Sequence, residues 1–252
     1  MAARLRQSSQ LATRCRMHTS TAVSTPEARY ISVDEVEYEP ANGFAKTLRK
    51  HLLTTDRVQI HQTLIRGRGE AEGYGVSTAN RAAYVLAGSA ILKHAAPTEP
   101  DVQVDKGHLI LIPAGADLGA QLSLLSDELV LLEVTRATSA PARDSTAQIR
   151  VVDPEAVQPY EPAGHAKTRN RCLFVDEHME IIEGLIERGG GAERHAHRNN
   201  EQLLYVLAGA GVPLLIHYPM GAPHGTGGGV PEPLELLVIY SPPLGESHNA
   251  LA

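Results

Sequence analysis

The same series of short segments occurs twice in the sequence, and this repetition limits the folds open to the chain. Tyr84-Val-Leu-Ala-Gly88 recurs as Tyr205-Val-Leu-Ala-Gly209, 121 positions later, whereas Pro113-Ala-Gly115 recurs as Pro219-Met-Gly221, 106 positions later. A pattern repeated at a long interval predicts two similar structural units in one chain. Because the two offsets differ by fifteen residues, the second copy is shorter between these segments.

Both copies consist of short, mostly apolar runs that are separated by turn residues. Such runs occur at 109–112, 129–134, 179–186, 203–207 and 234–240, and the 22 glycines and 16 prolines provide for many turns. We find no run of about twelve residues with the apolar period of an amphipathic helix. Repeated short strands with turn signals between them predict an all-β sandwich or small barrel.

Composition divides the chain into four parts. Residues 1–28 contain four arginines, many small and hydroxyl-bearing side chains and no acidic residue before Glu27, which is typical of a mitochondrial transit peptide or a disordered leader. We expect residues 29–135 to form a first unit and residues 151–245 a second, with the small, polar residues 136–150 as a linker. The leader predicts a mitochondrial location, with a cytoplasmic one as the alternative.

Charge and hydropathy exclude two classes of partner. The 252-residue chain has a formal net charge of −6, which provides no basic surface for nucleic acid. A membrane-spanning helix needs about eighteen consecutive apolar residues, and the sequence has no such run. Cys15 and Cys172 form neither a disulfide framework nor a zinc motif. We therefore expect a small-molecule substrate and leave homodimer formation open.

The second copy contains a set of potential metal ligands. His195 and His197 are separated by one residue, so a strand would direct both imidazoles to the same side. Glu201 or Gln202 begins the next apolar run, and His224 follows a Pro-x-Gly turn further on. Two imidazoles on one face can bind a cation together with ligands from a neighbouring strand.

These motifs resemble those of the cupin superfamily. Its first motif is a Gly followed by His-x-His, a Glu or Gln and a closing Gly, which residues 191–209 match, and its second is Pro-x-Gly-x-x-His, which residues 219–224 match. The resemblance covers about residues 35–245 and implies two jelly-roll β-barrels in tandem, as in the bicupins, with a metal in the mouth of the second. The fifteen-residue difference implies that this barrel lacks a strand pair or that the sequence is a shortened form.

The resemblance also suggests which residues hold the metal. Counted back from Gly209, the cupin spacing places the third ligand at Gln202, with His224 as the fourth. Glu201 is then a nearby carboxylate that acts as a base or orients a ligand, although Glu201 as the third ligand remains open. Three imidazoles and an amide form a neutral set of ligands, which suits Mn, Fe, Ni, Co, Cu or Zn better than Ca or Mg.

The first copy keeps the framework of the second but not these ligands. Tyr74, Val76, Arg81 and Leu118 stand at the four corresponding positions. An arginine is permanently cationic and repels a metal ion. We therefore expect the first unit to bind no metal and to serve packing, dimerisation or anion binding.

Two functions follow from the resemblance. One is an enzyme that uses a single transition metal to act on a small organic substrate, as a dioxygenase, an isomerase or a hydrolase. The alternative is a non-catalytic small-molecule-binding or structural protein, because the first unit lacks the ligands and the second is shortened. Metal content, measured together with turnover of keto acids, uronates and phenols, distinguishes the two.

Overall fold

The computed structural model describes residues 26–41, 44–71, 78–93, 100–136, 148–209, 211, 213–226 and 229–244. Most of the predicted leader and of the predicted linker, and also Tyr74, Val76 and Cys15, lie outside these residues. The described part is almost entirely β, so the predicted all-β class is confirmed. It also contains a four-residue helix α1 (Leu118–Gln121) and two 3₁₀ turns, Val33–Glu35 and Pro154–Ala156. Among these residues no helix is long and apolar enough to cross a membrane.

The strands are numbered in chain order through both halves of the molecule. Those before the linker are β1 (Arg29–Ser32), β2 (Glu39–Pro40), β3 (Thr47–Thr54), β4 (Val58–Arg66), β5 (Gly69–Glu70), β6 (Arg81–Ala87), β7 (Ser89–Leu92), β8 (Val102–Asp105), β9 (Leu109–Ile112), β10 (Leu122–Leu124) and β11 (Glu128–Arg136). Those after it are β12 (Arg150–Val152), β13 (His165–Val175), β14 (Glu180–Ala192), β15 (Glu201–Ala208), β16 (Leu214–Tyr218) and β17 (Leu234–Ser241).

The strands form three antiparallel sheets. A seven-stranded sheet has the order β12-β9-β6-β11-β4-β3-β2, and a six-stranded sheet has the corresponding order β1-β16-β15-β17-β14-β13. A four-stranded sheet, β5-β10-β7-β8, belongs to the N-terminal unit. Within the described residues the sheets pack as layers and do not close into the continuous barrels that the resemblance implied.

The C-terminal unit lacks a counterpart of the β7–β8 hairpin. In the N-terminal unit this hairpin follows β6 directly and builds half of the four-stranded sheet. In the C-terminal unit the chain passes from β15 to β16 through five residues, and no strand occurs among those that the structure describes there. The fifteen residues missing from the second copy account for this difference.

The edge strand of each large sheet comes from the other unit. β1, at the start of the predicted first unit, pairs with β16, and Arg29 lies opposite His217. β12, at the start of the predicted second unit, pairs with β9, and Arg150 lies opposite Leu111. The predicted boundaries follow the repeat in the sequence, but each of these two strands pairs in the sheet of the other unit.

Side-chain alternation gives each large sheet two buried faces. In β6, Ala82 and Tyr84 join a core shared between the seven- and six-stranded sheets. Ala83 and Val85, which point the other way, join a core between the seven- and four-stranded sheets. The opposite face of the six-stranded sheet carries a smaller cluster, made of Ile182, Ile186, Val206, Leu236, Val238 and Tyr240.

The glycines that close the repeated Tyr-Val-Leu-Ala-Gly runs are required by the backbone. Gly88 has φ +86° and Gly209 has φ +100°, values that side-chain-bearing residues rarely adopt. A Cβ atom at Gly88 would collide with the Glu128 carbonyl, and one at Gly209 with the Pro233 carbonyl. Both copies thus need glycine because a neighbouring strand passes close to the end of the run.

Candidate metal centre

The three predicted imidazole ligands lie on two loops that backbone hydrogen bonds hold together. The His195 amide donates to the His224 carbonyl and the His224 amide donates to the His195 carbonyl, each over 2.8 Å. The Gly221 amide also donates to the His197 carbonyl over 2.7 Å. These bonds join the His-x-His segment to the Pro-x-Gly-x-x-His segment.

One detail differs from the sequence prediction. His195 and His197 do not lie within a strand, because β14 ends at Ala192 and β15 begins at Glu201. His195 forms instead an isolated antiparallel bridge with His224. The extended backbone of this bridge brings the imidazoles together as a strand would.

The structure brings the three imidazoles into one cluster. The ring centroids are 4.4 Å apart for His195 and His224, 4.9 Å for His195 and His197, and 5.0 Å for His197 and His224. One nitrogen of each ring lies within 4.8 Å of the others, and among the described residues no other group of three His, Cys, Asp or Glu does so. Nitrogens bound to one transition metal at roughly 2.0–2.1 Å lie closer together than this, so a bound ion requires only a small inward shift.

Hydrogen bonds to carbonyls fix the tautomers of two of these rings. Nδ1 of His195 lies 2.7 Å from the Glu193 carbonyl, and Nδ1 of His224 lies 2.9 Å from the Ala222 carbonyl. A carbonyl accepts only, so both Nδ1 atoms carry the proton and both Nε2 atoms keep a free lone pair. This arrangement is common for metal-binding histidines, because the hydrogen bond orients the ring and makes the free nitrogen more basic.

Three of the candidate ligand atoms are buried without a hydrogen-bond partner. Nε2 of His197, Nε2 of His224 and Oε1 of Gln202 have none among the described residues. A buried polar atom without a partner is unfavourable, and a bound cation would satisfy all three. The donor set therefore fits a transition metal ion.

Burial keeps two of these imidazoles neutral. Burial, followed by the neighbouring imidazoles, lowers the pKa of His197 from 6.5 to about 4. Burial also lowers the pKa of His224 to about 4, although its hydrogen bond to the Ala222 carbonyl acts in the opposite direction. A neutral imidazole is the form that binds a metal, so near neutral pH these two rings bind a metal without first losing a proton.

These pKa values predict how the stability of the metal-free protein depends on pH. Between about pH 6.5 and pH 4 the unfolded chain binds protons at these histidines and the folded chain does not, so we expect stability to fall on acidification. Urea unfolding midpoints at about pH 7.5 and about pH 5 measure the effect. A His224→Gln variant should lose less stability over this range, and an equal loss in both proteins would contradict the assignment.

Gln202 faces the same side as the imidazole cluster. It is buried, and its Nε2 donates to the hydroxyl of Tyr240 over 2.8 Å. Because the amide nitrogen is engaged in this way, Oε1 is the atom left free. The His197 ring also contacts Tyr240, with centroids 5.3 Å apart. Gln202 thus presents an oxygen, the amide atom that binds cations, from the first residues of β15.

Glu201 faces the opposite side of β15, as strand alternation requires. Thr55 of the N-terminal unit donates to its Oε1 over 2.8 Å, and Nε2 of His217 lies 3.1 Å from its Oε2. The carboxylate is buried between the two large sheets, and Glu201 is not among the described residues that line the cavity beside the histidines. The structure thus brings Gln202, but not Glu201, to the imidazoles.

Two residues near the site were not given a role by sequence reasoning. Tyr240 lies in a run that predicts only a buried strand, and its contact with Gln202 spans 38 positions. His165 begins β13, with its ring centroid 6.1 Å from that of His195. Nothing in the sequence pattern marks Tyr240. His165 could have been noticed, because the matching segment of the first copy, residues 38–47, contains no histidine.

The N-terminal unit places an ion-pair network where the C-terminal unit has its candidate ligand. Arg81, the counterpart of Gln202, lies with Nη1 3.3 Å from Oε2 of Glu133, and Nη2 of Arg49 lies 3.4 Å from Oε1 of the same residue. Thr63 donates to this carboxylate as well. Leu118 is fully buried in α1. At these positions the N-terminal unit therefore presents cations and an apolar side chain.

The histidine cluster borders a cavity of about 100 Å³. Its wall includes His195, His224, Gln202 and Tyr240 together with several aliphatic side chains. Two larger cavities of about 300 and 430 Å³ lie in clefts between the two units, away from the cluster. The smaller cavity offers space for another molecule beside the candidate ligands.

Comparison with known proteins agrees with this architecture. No protein-family model matches the chain, and no curated protein matches it. Among solved structures, a candidate dioxygenase from Nostoc punctiforme is similar with TM-score 0.66, 15% identity and coverage of 88% of this chain and 85% of that chain. Oxalate decarboxylase of Lactobacillus farciminis, determined with formate, has TM-score 0.59, 12% identity and coverage of 88% and 87%.

A third similar structure is the bacterial pirin of Escherichia coli in complex with nickel(II). It has TM-score 0.55 and 14% identity, and the similarity covers 86% of this chain and 100% of that chain. At these identities the similarity shows a shared fold, and this fold is the one that the two sequence motifs suggested. The chain has the two-unit cupin fold.

Proposed function

We propose that this chain is a metal-dependent enzyme that acts on a small organic substrate at one transition metal ion in the C-terminal unit. His195, His197 and His224 would hold the ion, with the amide oxygen of Gln202 as a further ligand. The observation that carries this proposal is the convergence of three imidazoles beside the Gln202 amide. Nε2 of His197, Nε2 of His224 and Oε1 of Gln202 are buried there without a partner among the described residues. The cupin-type neighbours, one of them bound to nickel(II), support it.

A bound ion would supply a Lewis acid that polarises or orients an oxygen-bearing substrate. The chain's own residues prepare the site for this role. Carbonyl hydrogen bonds orient the rings of His195 and His224, and the hydroxyl of Tyr240 orients the amide of Gln202. The reaction class, whether dioxygenation, isomerisation or hydrolysis, depends on the substrate, and a turnover assay identifies it.

For Glu201 we propose a positioning role, in place of the base suggested by its place in the sequence. Both of its carboxylate oxygens are engaged, one by Thr55 and the other by His217. The Thr55 contact attaches the start of β15, and with it Gln202, to the N-terminal unit, and the His217 contact attaches it to β16. Glu201 would thus act on the site through the backbone of the strand.

Tyr240 gives a test of the proposed ligand set. Replacing Tyr240 by Phe removes the group that holds Nε2 of Gln202, so we expect metal affinity to fall by roughly 10- to 100-fold, as for other residues that orient a ligand. The visible spectrum of the cobalt(II) form should change as well. Tyr205→Phe is the matched control, because Tyr205 is equally buried on β15 but lies in the shared core. Equal affinities and spectra in both variants would contradict the role of Gln202.

Turnover tests the enzymatic part of the proposal. Protein with a measured metal content is incubated with keto acids, uronates and phenols, and substrate loss and oxygen uptake are followed. We expect turnover of at least one compound that disappears on chelation and returns when metal is added back. Retained turnover after complete metal removal would contradict a metal-dependent reaction.

One observation favours a non-catalytic binding protein as the second candidate. The C-terminal unit has no counterpart of the β7–β8 hairpin among the described residues, so one side of its cavity lacks the sheet that covers the N-terminal core. A binding protein tolerates a partly open site better than an enzyme that must exclude water. Metal-loaded protein that binds small ligands without converting them would favour this candidate.

A further inference from the structure

The cavity beside the histidine cluster is lined on one side by hydrocarbon. It has a volume of about 100 Å³ and includes His195, His224 and Gln202 in its wall. The wall also contains four aliphatic side chains on three neighbouring strands, Ile186, Leu204, Leu236 and Val238, as well as the polar side chains of Thr168, Asn170 and Thr226. A molecule bound here would therefore contact both the candidate ligands and a group of aliphatic side chains.

The described residues that line this cavity include no Lys, Arg, Asp or Glu. The cleft of about 300 Å³ between the units is different, because its wall contains charged residues of both signs, among them Lys106, Arg171 and Glu183. In the smaller cavity a charge placed against the aliphatic side chains would lose its hydration and gain no partner of opposite charge. Such a loss is strongly unfavourable, so the hydrocarbon end of the cavity excludes charged groups.

The cavity also limits the size of the group that it can enclose. An apolar cavity of about 150 Å³ is known to hold benzene, which has six carbon atoms. A volume of about 100 Å³ accordingly suits a molecule of roughly six non-hydrogen atoms or fewer, with its polar end outside the apolar part.

The proposed ligands indicate the charge of the polar end. Three imidazoles and one amide are all neutral, so a divalent cation among them would keep its whole charge. In a cavity of low polarity this charge attracts one anionic group. A second anionic group on the same molecule would have to lie against the aliphatic wall.

We infer that the site takes a compact monoanion with an apolar tail, of the class of short-chain monocarboxylates. The anionic group lies at the histidine cluster, and the hydrocarbon tail lies against Ile186, Leu236 and Val238. The inference rests on the proposed metal centre, since the cation supplies the only positive charge that the argument uses. It selects against dicarboxylates, because no charged residue among the described lining residues would pair with a second carboxylate.

Binding of three simple carboxylates to the cobalt(II)-loaded protein tests this inference. Acetate, butyrate and succinate are titrated, and the visible spectrum of the cobalt reports binding. Each methylene buried against the wall strengthens binding by roughly fourfold, so butyrate should bind roughly fifteen times more tightly than acetate. Succinate is butyrate with its terminal methyl group replaced by a second carboxylate, and we expect it to bind at least roughly tenfold more weakly than butyrate.

A matched pair of variants tests whether the wall sets the preference. Ile186→Val removes one methylene from the cavity wall, whereas Ile182→Val removes the same group from the same strand and apolar cluster but outside the cavity. We expect Ile186→Val to raise the affinity ratio of pentanoate to butyrate by roughly fourfold. Ile182→Val should leave this ratio unchanged.

The outcomes separate this inference from the proposed function. Wild-type protein that binds no cobalt contradicts the metal centre itself. Protein that binds cobalt but binds acetate, butyrate and succinate with equal affinity contradicts only the ligand class. A chain-length preference that Ile182→Val changes as much as Ile186→Val also contradicts the ligand class, because the preference would then not come from the cavity wall.

Discussion

Replacement of both His195 and His197 by alanine is expected to abolish metal binding. The change removes two of the three imidazoles of the cluster, and His224 with Gln202 cannot enclose a transition metal ion alone. Loss of even a residue that only orients a ligand costs roughly 10- to 100-fold in affinity, so loss of two ligands should exceed that range. Elemental analysis of the purified variant, after incubation with excess metal and desalting, measures the effect.

A second histidine pair provides the control for this experiment. Nδ1 of His51 lies 3.0 Å from Nε2 of His61 on neighbouring strands of the N-terminal unit, and a Thr54 hydroxyl is near. This pair therefore resembles the candidate site in having two adjacent imidazoles. A His51→Ala/His61→Ala variant should keep one metal ion per chain. Metal that persists in the His195→Ala/His197→Ala protein would reject the proposed centre.

Leu237→Ala should produce a large loss of stability. Leu237 is fully buried on β17, between the two large sheets. Truncating a buried leucine to alanine typically costs about 2–5 kcal/mol, because contacts are lost and a cavity remains. Since this core belongs to both units, both should unfold in one transition at a lower urea concentration. Circular dichroism and tyrosine fluorescence measure the transition.

The matched control for this substitution is Leu125→Ala. Leu125 is 42% exposed in a turn, so its truncation should change stability by no more than about 0.5 kcal/mol. Two separate transitions in wild-type protein, of which Leu237→Ala shifts only one, would show that the units fold independently. That result would contradict the shared core.

Much of the fold and part of the site could be predicted because they depend on local patterns. Short apolar runs between turns predict strands, and Gly88 and Gly209 mark the ends of the repeated runs. The spacing of His195, His197 and His224 indicates a ligand set because all three lie on short loops beside one sheet. The choice of Gln202 over Glu201 came from the family spacing, and the structure places Gln202 on the face of the imidazoles.

The remaining features depend on contacts between distant residues. The Thr55 hydroxyl reaches Glu201 across 146 positions, and Tyr240 meets Gln202 across 38. A strand pattern states which residues share a face but not what lies opposite that face. For the same reason no sequence pattern showed that β1 and β12 join the sheet of the other unit.

The exchange of these edge strands affects the order in which the chain can fold during its synthesis. Residues of β1 leave the ribosome early, but the strand that pairs with them contains His217, 188 positions after Arg29. The seven-stranded sheet likewise receives its edge strand only when β12 has been made. Closing loops of this length is slow, and an open sheet edge can pair with other chains in the meantime. Neither half of the protein can therefore complete its large sheet from its own residues alone.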